Sequence, residues 1–491
     1  MTMNDLCYDV ILRNGTLIDG RNHPAFRADV AIHGGRLAHV GDLGNAKAHR
    51  EIDVSNLVVA PGFIDVHTHD DAAVIESPQM APKLTQGVTT VIAGNCGISA
   101  APFSPAGARH GVMHLVFKSE RCLADTLGAY IEKVRSAEPA VNVGLLTGHT
   151  TLRMQVMGQD LNRPATADEI AQMRDLLAGC LEEGSLGFST GLFYPSARAA
   201  STEEVIEIAA PLRSHQGLYV THMRDEADGV MESLQEALHI GKAVDVPVII
   251  SHHKCLGRNN FGRSIETLAL LSQARPDRCV GLDVYPYTAS STVLNQEMVF
   301  RSERTLITWC DRFPEYTGVD LAEVAGKMKC SIEEAVEKLQ PAGAVYFSMD
   351  DQDITRILRF PGTMIGSDGL PGDQHPHPRL WGTFPRVLAR YVRERAVLTL
   401  EEAIYRMTGL PAFHFRLQDR GSIEVGKYAD LCVFDPSTIV DCATYEEPVS
   451  PSKGIHFVFV NGRIAMDNCN LTPVRAGRVL RRAIHGNGVL L

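Results

Sequence analysis

The 491-residue chain has no Cys-x-x-Cys pair among its 11 scattered cysteines. That speaks against both a disulfide framework and a structural zinc knuckle, and leaves most of the thiols as small buried hydrophobes. It has no excess of positive charge either: 47 Lys and Arg stand against 58 Asp and Glu, a formal net charge of -11. A surface of that sign excludes sequence-independent binding to nucleic acid and attraction to anionic membranes. No apolar run approaches the roughly 20 residues of a membrane helix. The start, Met1 to Val10, lacks a basic stretch followed by an apolar one, so a cytoplasmic protein is expected. Internal repeats and low-complexity tracts are also missing.

What remains is the composition of an ordinary enzyme, 45% hydrophobic and 21% charged, in a chain long enough for a large barrel with a smaller module attached. Eight short apolar runs of strand length recur between residues 57 and 368: Val58 to Val66, Val88 to Ala93, Val141 to Leu146, Leu186 to Ser189, Leu218 to Thr221, Pro247 to Ser251, Val280 to Tyr285 and Thr363 to Ser367. Helical segments lie between many of them. Thr166 to Glu169 forms a capping box that opens one helix, closed by Gly184, and Ser201 to Glu204 opens another that ends near Gly217,. Strands alternating with capped helices predict an α/β fold, a (β/α)8 TIM-like barrel of parallel strands, over residues 61–415.

Residues 288–350 are too long for a βα connection of roughly 2–6 residues. With a helical pattern of their own in Ser331 to Leu339, they predict a lid or subdomain over the C-terminal mouth. Both ends alternate apolar and polar residues with turn signals, at Asn14-Gly15, Asp19-Gly20 and Gly34-Gly35 and again at Asn461-Gly462,. Neither end can bury a core alone. Residues 1–60 plus 416–491 therefore read as one small β-sandwich or β-barrel domain assembled from both termini.

Candidate metal ligands fall at the C-terminal tips of several runs, the place where barrel active sites are built. In a strand alternate residues share a face, so His67 and His69 point the same way, as half of a Zn²⁺ or Fe²⁺ site. Cys96 lies between Gly94 and Gly97 at the second tip, His222 follows the fifth, His252 and His253 the sixth, and Asp368 the eighth. Adjacent residues point to opposite faces, so only one of His252 and His253 can line the site. Imidazoles, a thiol and a carboxylate suit a mono- or binuclear centre for a borderline metal.

These residues carry a resemblance. The run Pro61-Gly62-Phe63-Ile64-Asp65-Val66-His67-Thr68-His69, the histidines at the fifth and sixth tips and Asp368 resemble the amidohydrolase superfamily. Gly94-Asn95-Cys96-Gly97, Thr221 to Arg224, Ser251 to Lys254, Tyr285-Pro286-Tyr287, Gly366 to Pro371 and His377 to Arg386 resemble its D-aminoacylase family, the N-acyl-D-amino-acid deacylases, over nearly the whole chain. The resemblance implies one tightly bound zinc held by Cys96, His222 and His252, with His67, His69 and Asp368 facing a second, weaker metal position. Many binuclear relatives bridge their metals with a carbamylated lysine on strand 4; here no lysine occurs between Lys133 and Lys242, which leaves Cys96 as the natural bridge. Zinc would lower the pKa of a water toward ~7 and polarise the scissile carbonyl. Asp368 would take the water's proton and return it to the departing amine.

The implied substrate is a small N-acyl-D-amino acid, cleaved to a carboxylate and a free D-amino acid. Arg379, Lys254 and Tyr285 would bind its α-carboxylate. Tyr194 joins the expected substrate contacts, and Phe193, Phe300, Tyr346 and Met349 would line an apolar pocket suited to neutral hydrophobic side chains. Arg301, beside Phe300, is the residue that could instead select N-acyl-D-glutamate or N-acyl-D-aspartate. A cyclic amide, as in hydantoinases, is a further alternative that the missing strand-4 lysine argues against.

Overall fold

A computed structural model of the protein describes residues 7–104, 112–275 and 279–481. Its centre is a parallel barrel whose strands 1 to 8 are Phe63–Asp65, Val88–Ala93, Asn142–Gly148, Gly187–Gly191, Leu218–His222, Val248–Ile250, Val280–Val284 and Thr363–Ile365. They are paired in sequence order, every neighbouring pair being parallel. The ring closes just beyond strands 1 and 8, where Thr68 bridges Gly369 and the Asp368 amide donates to the His67 carbonyl at 2.8 Å. Ile64, Ile92, Leu146, Val220, Ile249 and Met364 fill the interior together with Leu410 and Phe415. The barrel is thus a packed core open to chemistry only at its C-terminal tips.

Each of the eight expected strands is present, but the first is divided. Val58–Pro61 joins a second sheet, and only Phe63–Asp65 belongs to the barrel. The switch occurs across one residue: the Gly62 amide donates to Asp430 O at 2.8 Å, and the next amide, of Phe63, donates to Gly87 O at 3.0 Å. A Cβ on Gly62 would lie 2.2 Å from Thr89 Cγ2, so only glycine lets the chain pass so close to strand 2.

The second sheet unites the two ends of the chain. Val58–Pro61 runs parallel to Tyr8–Leu17 on one side and antiparallel to Leu431–Phe434 on the other. One cluster of Leu12, Leu17, Val30, Val59, Leu431 and Phe459 forms the core beneath it. The end of the chain then returns to the barrel, where Val479–Leu480 pairs with strand 3.

The helices follow their caps. Thr166 and Glu169 make both bonds of the capping box that opens Ala167–Glu182. Ser201 caps Thr202–Ala209; that helix stops short of Gly217 because Pro211 starts a separate turn, Pro211–Ser214,. Among the described residues no helix is long and apolar enough to cross a membrane.

The insertion holds the expected helix, Ile332–Leu339, with a Ser331/Glu334 capping box. It also holds a three-stranded antiparallel sheet, Ala289–Val293, Ala342–Phe347 and Thr305–Cys310, in that spatial order. It is tied to loops after several barrel strands: the Gly257 amide donates to Ser348 O at 2.8 Å, Arg379 NH2 donates to Ser291 O at 3.1 Å, and Lys118 lies 3.8 Å from the Trp309 ring centre.

Candidate functional site

The barrel tips bring His67, His69, Cys96, His222, His252 and Asp368 together as one buried cluster. Cys96 Sγ lies 3.2 Å from His67 Nε2 and 3.4 Å from His252 Nε2. Asp368 Oδ1 lies 3.2 Å from His69 Nε2 and 3.5 Å from His67 Nε2. The rings of His222 and His252 meet edge to face, their centres 4.4 Å apart. Three of the six stand in left-handed backbone: Cys96 at φ 54°, His252 at φ 34° and Asp368 at φ 49°. Such strain in non-glycine residues gathers where side chains are aimed at a task. Beside Cys96, Gly94 makes the turn possible, since a Cβ there would sit 2.2 Å from Leu146 O.

The electrostatics are those of a cation site. Burial opposes ionisation of the Cys96 thiol, but His67 and His252 outweigh it and hold the thiol well below its usual range. Burial likewise opposes charge on His69, yet Asp368 and Cys96 push it up to about 9. Asp368 is buried too, and Arg379 with His252 and His67 keeps its carboxyl well below the ordinary value. His222 is different: burial lowers it, and neither ring nitrogen has a hydrogen-bond partner. An anionic thiolate, a carboxylate and a neutral imidazole converging in a nearly buried space fit a zinc ion,. Donor atoms of His67, Cys96, His252 and Asp368 lie within 4.8 Å of one another, and so do those of His222, Glu226 and His252.

The sequence reading missed the acids behind this cluster and Lys83, and it named Lys254 only as a contact for the substrate. Glu226 places Oε1 3.1 Å from His252 Nδ1 and Oε2 3.5 Å from His222 Nε2; Lys254, at 2.8 Å from Glu226 and 2.7 Å from His252 Nδ1, completes the group. Asp283 faces His67 Nδ1 at 3.4 Å and accepts from the His252 amide at 3.0 Å. Lys83, buried, bonds Asp65 at 2.8 Å and Ser367 Oγ at 3.0 Å, tying strand 1 to strand 8. An acid inside the apolar run Val280–Val284 was a usable signal for Asp283; Glu226 sits in an ordinary charged stretch and gave none. Carboxylates behind metal-facing histidines fix ring orientation and raise basicity. Glu226→Gln is therefore expected to lower zinc affinity or activity by about 10–100-fold, read by metal titration beside kcat; no change in either would remove Glu226 from the support of the site.

His253 points away, its Nε2 2.8 Å from Thr267 Oγ1, so His252 is the one that lines the site. Arg379 is buried, with NH1 2.9 Å from Asp368 Oδ2 and its guanidinium 4.5 Å from the Tyr285 ring centre. Arg379 Nε and the Tyr285 hydroxyl are both buried without a partner. Phe193 stacks on the His222 ring at 5.2 Å, and Tyr194 meets the same ring at 5.1 Å. Tyr346 is buried in the insertion sheet, where its hydroxyl donates to Val293 O and accepts from the Asn295 amide, both at 2.8 Å. Met349 is buried beside the insertion sheet.

Phe300 departs from expectation: its ring is 61% exposed. The helix Gln296–Phe300 turns Met298 inward, and a residue two places on lies on the other side of a helix. Arg301 is taken up by carboxylates, 3.1 Å from Glu297, 3.5 Å from Asp228 and 3.9 Å from Asp225.

Comparison with known proteins was made on this geometry. The model of an amidohydrolase family matches residues 50–253 and 336–466. The D-aminoacylase of Alcaligenes xylosoxydans xylosoxydans is 51% identical over 97% of this chain and 98% of its own length. A solved D-aminoacylase, described as having a binuclear metal centre with one-metal activation and second-metal attenuation, superposes with a TM-score of 0.94 at 51% identity, covering 97% of this chain and 100% of that one. The N-acyl-D-glutamate deacylase of Bordetella bronchiseptica, solved with zinc and a phosphonate mimic of the tetrahedral intermediate, superposes with a TM-score of 0.93 at 42% identity over the same shares.

Proposed function

This chain belongs to the amidohydrolase family, and from that premise we propose that it hydrolyses the amide bond of N-acyl-D-amino acids with neutral hydrophobic side chains, releasing a carboxylate and the free D-amino acid. One observation carries the reading. Two buried donors without partners, Arg379 Nε and the Tyr285 hydroxyl, stand beside Asp368 at the edge of the Cys96 cluster. They form a ready receptor for an α-carboxylate next to a carboxylate able to move a proton.

By resemblance, zinc would be held by Cys96, His222 and His252, with His67, His69 and Asp368 facing a weaker second position; it would supply Lewis acidity toward the carbonyl and lower the pKa of water. The rest falls to the chain's own groups. Asp368, kept ionised by Arg379 and the histidines, accepts the proton of the attacking water and returns it to the amine nitrogen as the C–N bond breaks. Glu226 and Asp283 keep His252 and His67 in register. Lys254, bonded to Glu226 at 2.8 Å and to His252 Nδ1 at 2.7 Å, helps to position that ring. Preference for the D configuration rests on the relatives alone.

The neutral side-chain preference is supported by Arg301, whose charge is already engaged by Glu297, Asp228 and Asp225. The test is amine release by zinc-loaded protein from N-acetyl-D-leucine, N-acetyl-L-leucine and N-acetyl-D-glutamate, with a chelated control. Release from D-leucine alone, lost on chelation, is the expected result. Preference for D-glutamate would overturn the side-chain assignment, and no turnover of any of them with zinc bound would overturn the deacylase reading.

A further inference from the structure

A cavity of about 460 Å³ opens behind the site, and its wall includes Leu161, Phe193, Tyr194, Val293, Leu294 and Trp309. None of the six ligand residues nor Arg379 lines it, and the function proposed above leaves it unused. We propose that it receives the acyl chain of the substrate, so that the enzyme selects long or aromatic N-acyl groups over acetyl. This inference rests on the deacylase reading and deepens it.

Three features support the assignment. The first is direction. In the ring of eight strands, strand 4 lies half a turn from strand 8; Phe193 and Tyr194 follow strand 4, whereas Asp368 follows strand 8 and bears Arg379 against it. A substrate gripped by its carboxylate at Arg379 and by its carbonyl at the central cluster extends its acyl end toward strand 4.

The second is proximity. Phe193 and Tyr194 pack against His222 with ring centres 5.2 and 5.1 Å away, and the same two residues line the cavity. The separation between cluster and cavity is therefore one aromatic layer. The third is division of labour. Of the expected contacts of the amino-acid side chain, Tyr346 and Met349 do not line this cavity while Phe193 does, which makes Phe193 the partition between the places for the side chain and for the acyl chain.

The volume belongs to the range of small-molecule sites, roughly 300–1,000 Å³, and an acetyl methyl would leave nearly all of it unfilled. Each methylene moved from water onto the apolar part of this wall is worth up to roughly fourfold; Gln159, Asn162, Ser196, Asn295 and Gln340 supply polar stretches beside it.

The experiment compares kcat/KM of the zinc-loaded enzyme for N-acetyl-, N-hexanoyl- and N-octanoyl-D-leucine, in the wild type and in Val293→Trp and Leu161→Trp, which fill the cavity from two different walls. N-acetyl-D-phenylalanine reports on the side-chain pocket. The expected result is at least a roughly tenfold rise from acetyl to hexanoyl in the wild type, with the hexanoyl-to-acetyl ratio collapsing in either filled variant. A wild-type ratio near or below one, with N-acetyl-D-leucine turned over, would overturn the acyl assignment while leaving the deacylase reading intact. A filled variant that instead loses N-acetyl-D-phenylalanine would also overturn it, by making the cavity a side-chain pocket. Failure of every D substrate in the wild type would overturn the deacylase reading and this inference with it.

Discussion

Asp368→Asn is expected to lower kcat by about 10²–10⁴-fold, the usual worth of a positioned acid or base, while zinc binding at the proposed Cys96, His222 and His252 position is retained. Asparagine matches the shape of the side chain but cannot accept a proton. Its neighbours sharpen the effect. In the native chain the carboxylate faces His69 at 3.2 Å, His67 at 3.5 Å and Arg379 at 2.9 Å, so the substitution leaves a buried guanidinium without its counter-ion. Breaking a buried pair from one side costs about 3–5 kcal/mol, and a lower Tm is expected beside the kinetic defect. Zinc content measured on the same sample separates the two accounts. A kcat within about tenfold of the wild type, with the metal bound, would contradict the assignment of Asp368 as the proton-transfer group.

The second large effect is expected from Cys96→Ala. Outer-shell partners of metal-bound histidines are worth about 10–100-fold in affinity, so loss of a direct thiolate donor should weaken zinc binding by at least about 100-fold. The electrostatics give the reason. His67 is held well above its ordinary value against the pull of burial, by Asp283 and by Cys96; without the thiolate the cluster loses the negative charge at its centre and with it much of its demand for a cation. The variant should be purified with little metal, and its kcat should follow zinc occupancy in a competition titration against a chelator. Full zinc retention by Cys96→Ala would show that the histidines and Asp368 hold the metal alone, and would remove Cys96 as the bridge between two metal positions.

Much of the fold is written in consecutive residues. The eight barrel strands are short runs of apolar residues ending in polar or glycine-rich tips, and the helix starts at Thr166 and Ser331 are decided by a cap and a glutamate three residues on. Such signals act within one turn or one strand, so they are legible without knowing where the chain goes next. The same holds for the six residues of the cluster. Once barrel order is inferred, each lies just past a strand tip, and a parallel barrel sends all tips to one mouth. The join between the two termini also followed from the sequence, because neither piece carries enough apolar surface to stand alone.

What only the tertiary structure decided are contacts between residues far apart in the chain. Ser367 donates to Asp65 across 302 positions, Lys83 reaches both ends of that contact, Asp283 meets His67 across 216 positions, and Glu226, in the loop after strand 5, meets His252 after strand 6. The neighbourhood of Glu226 does not single it out, since a charged residue in a charged stretch carries no mark of burial; Asp65 and Asp283 stand out as acids within apolar strands, but the strands alone do not say which group each acid meets. The division of Val58 to Val66 at Gly62 depends on how close Thr89 comes, and the inward turn of Met298 that sends Phe300 to solvent depends on where the insertion docks. Local patterning therefore determined which residues could do chemistry; the closure of the barrel, which brings distant charges into a water-poor space where their mutual fields are strong, decided which of them are held ready for it.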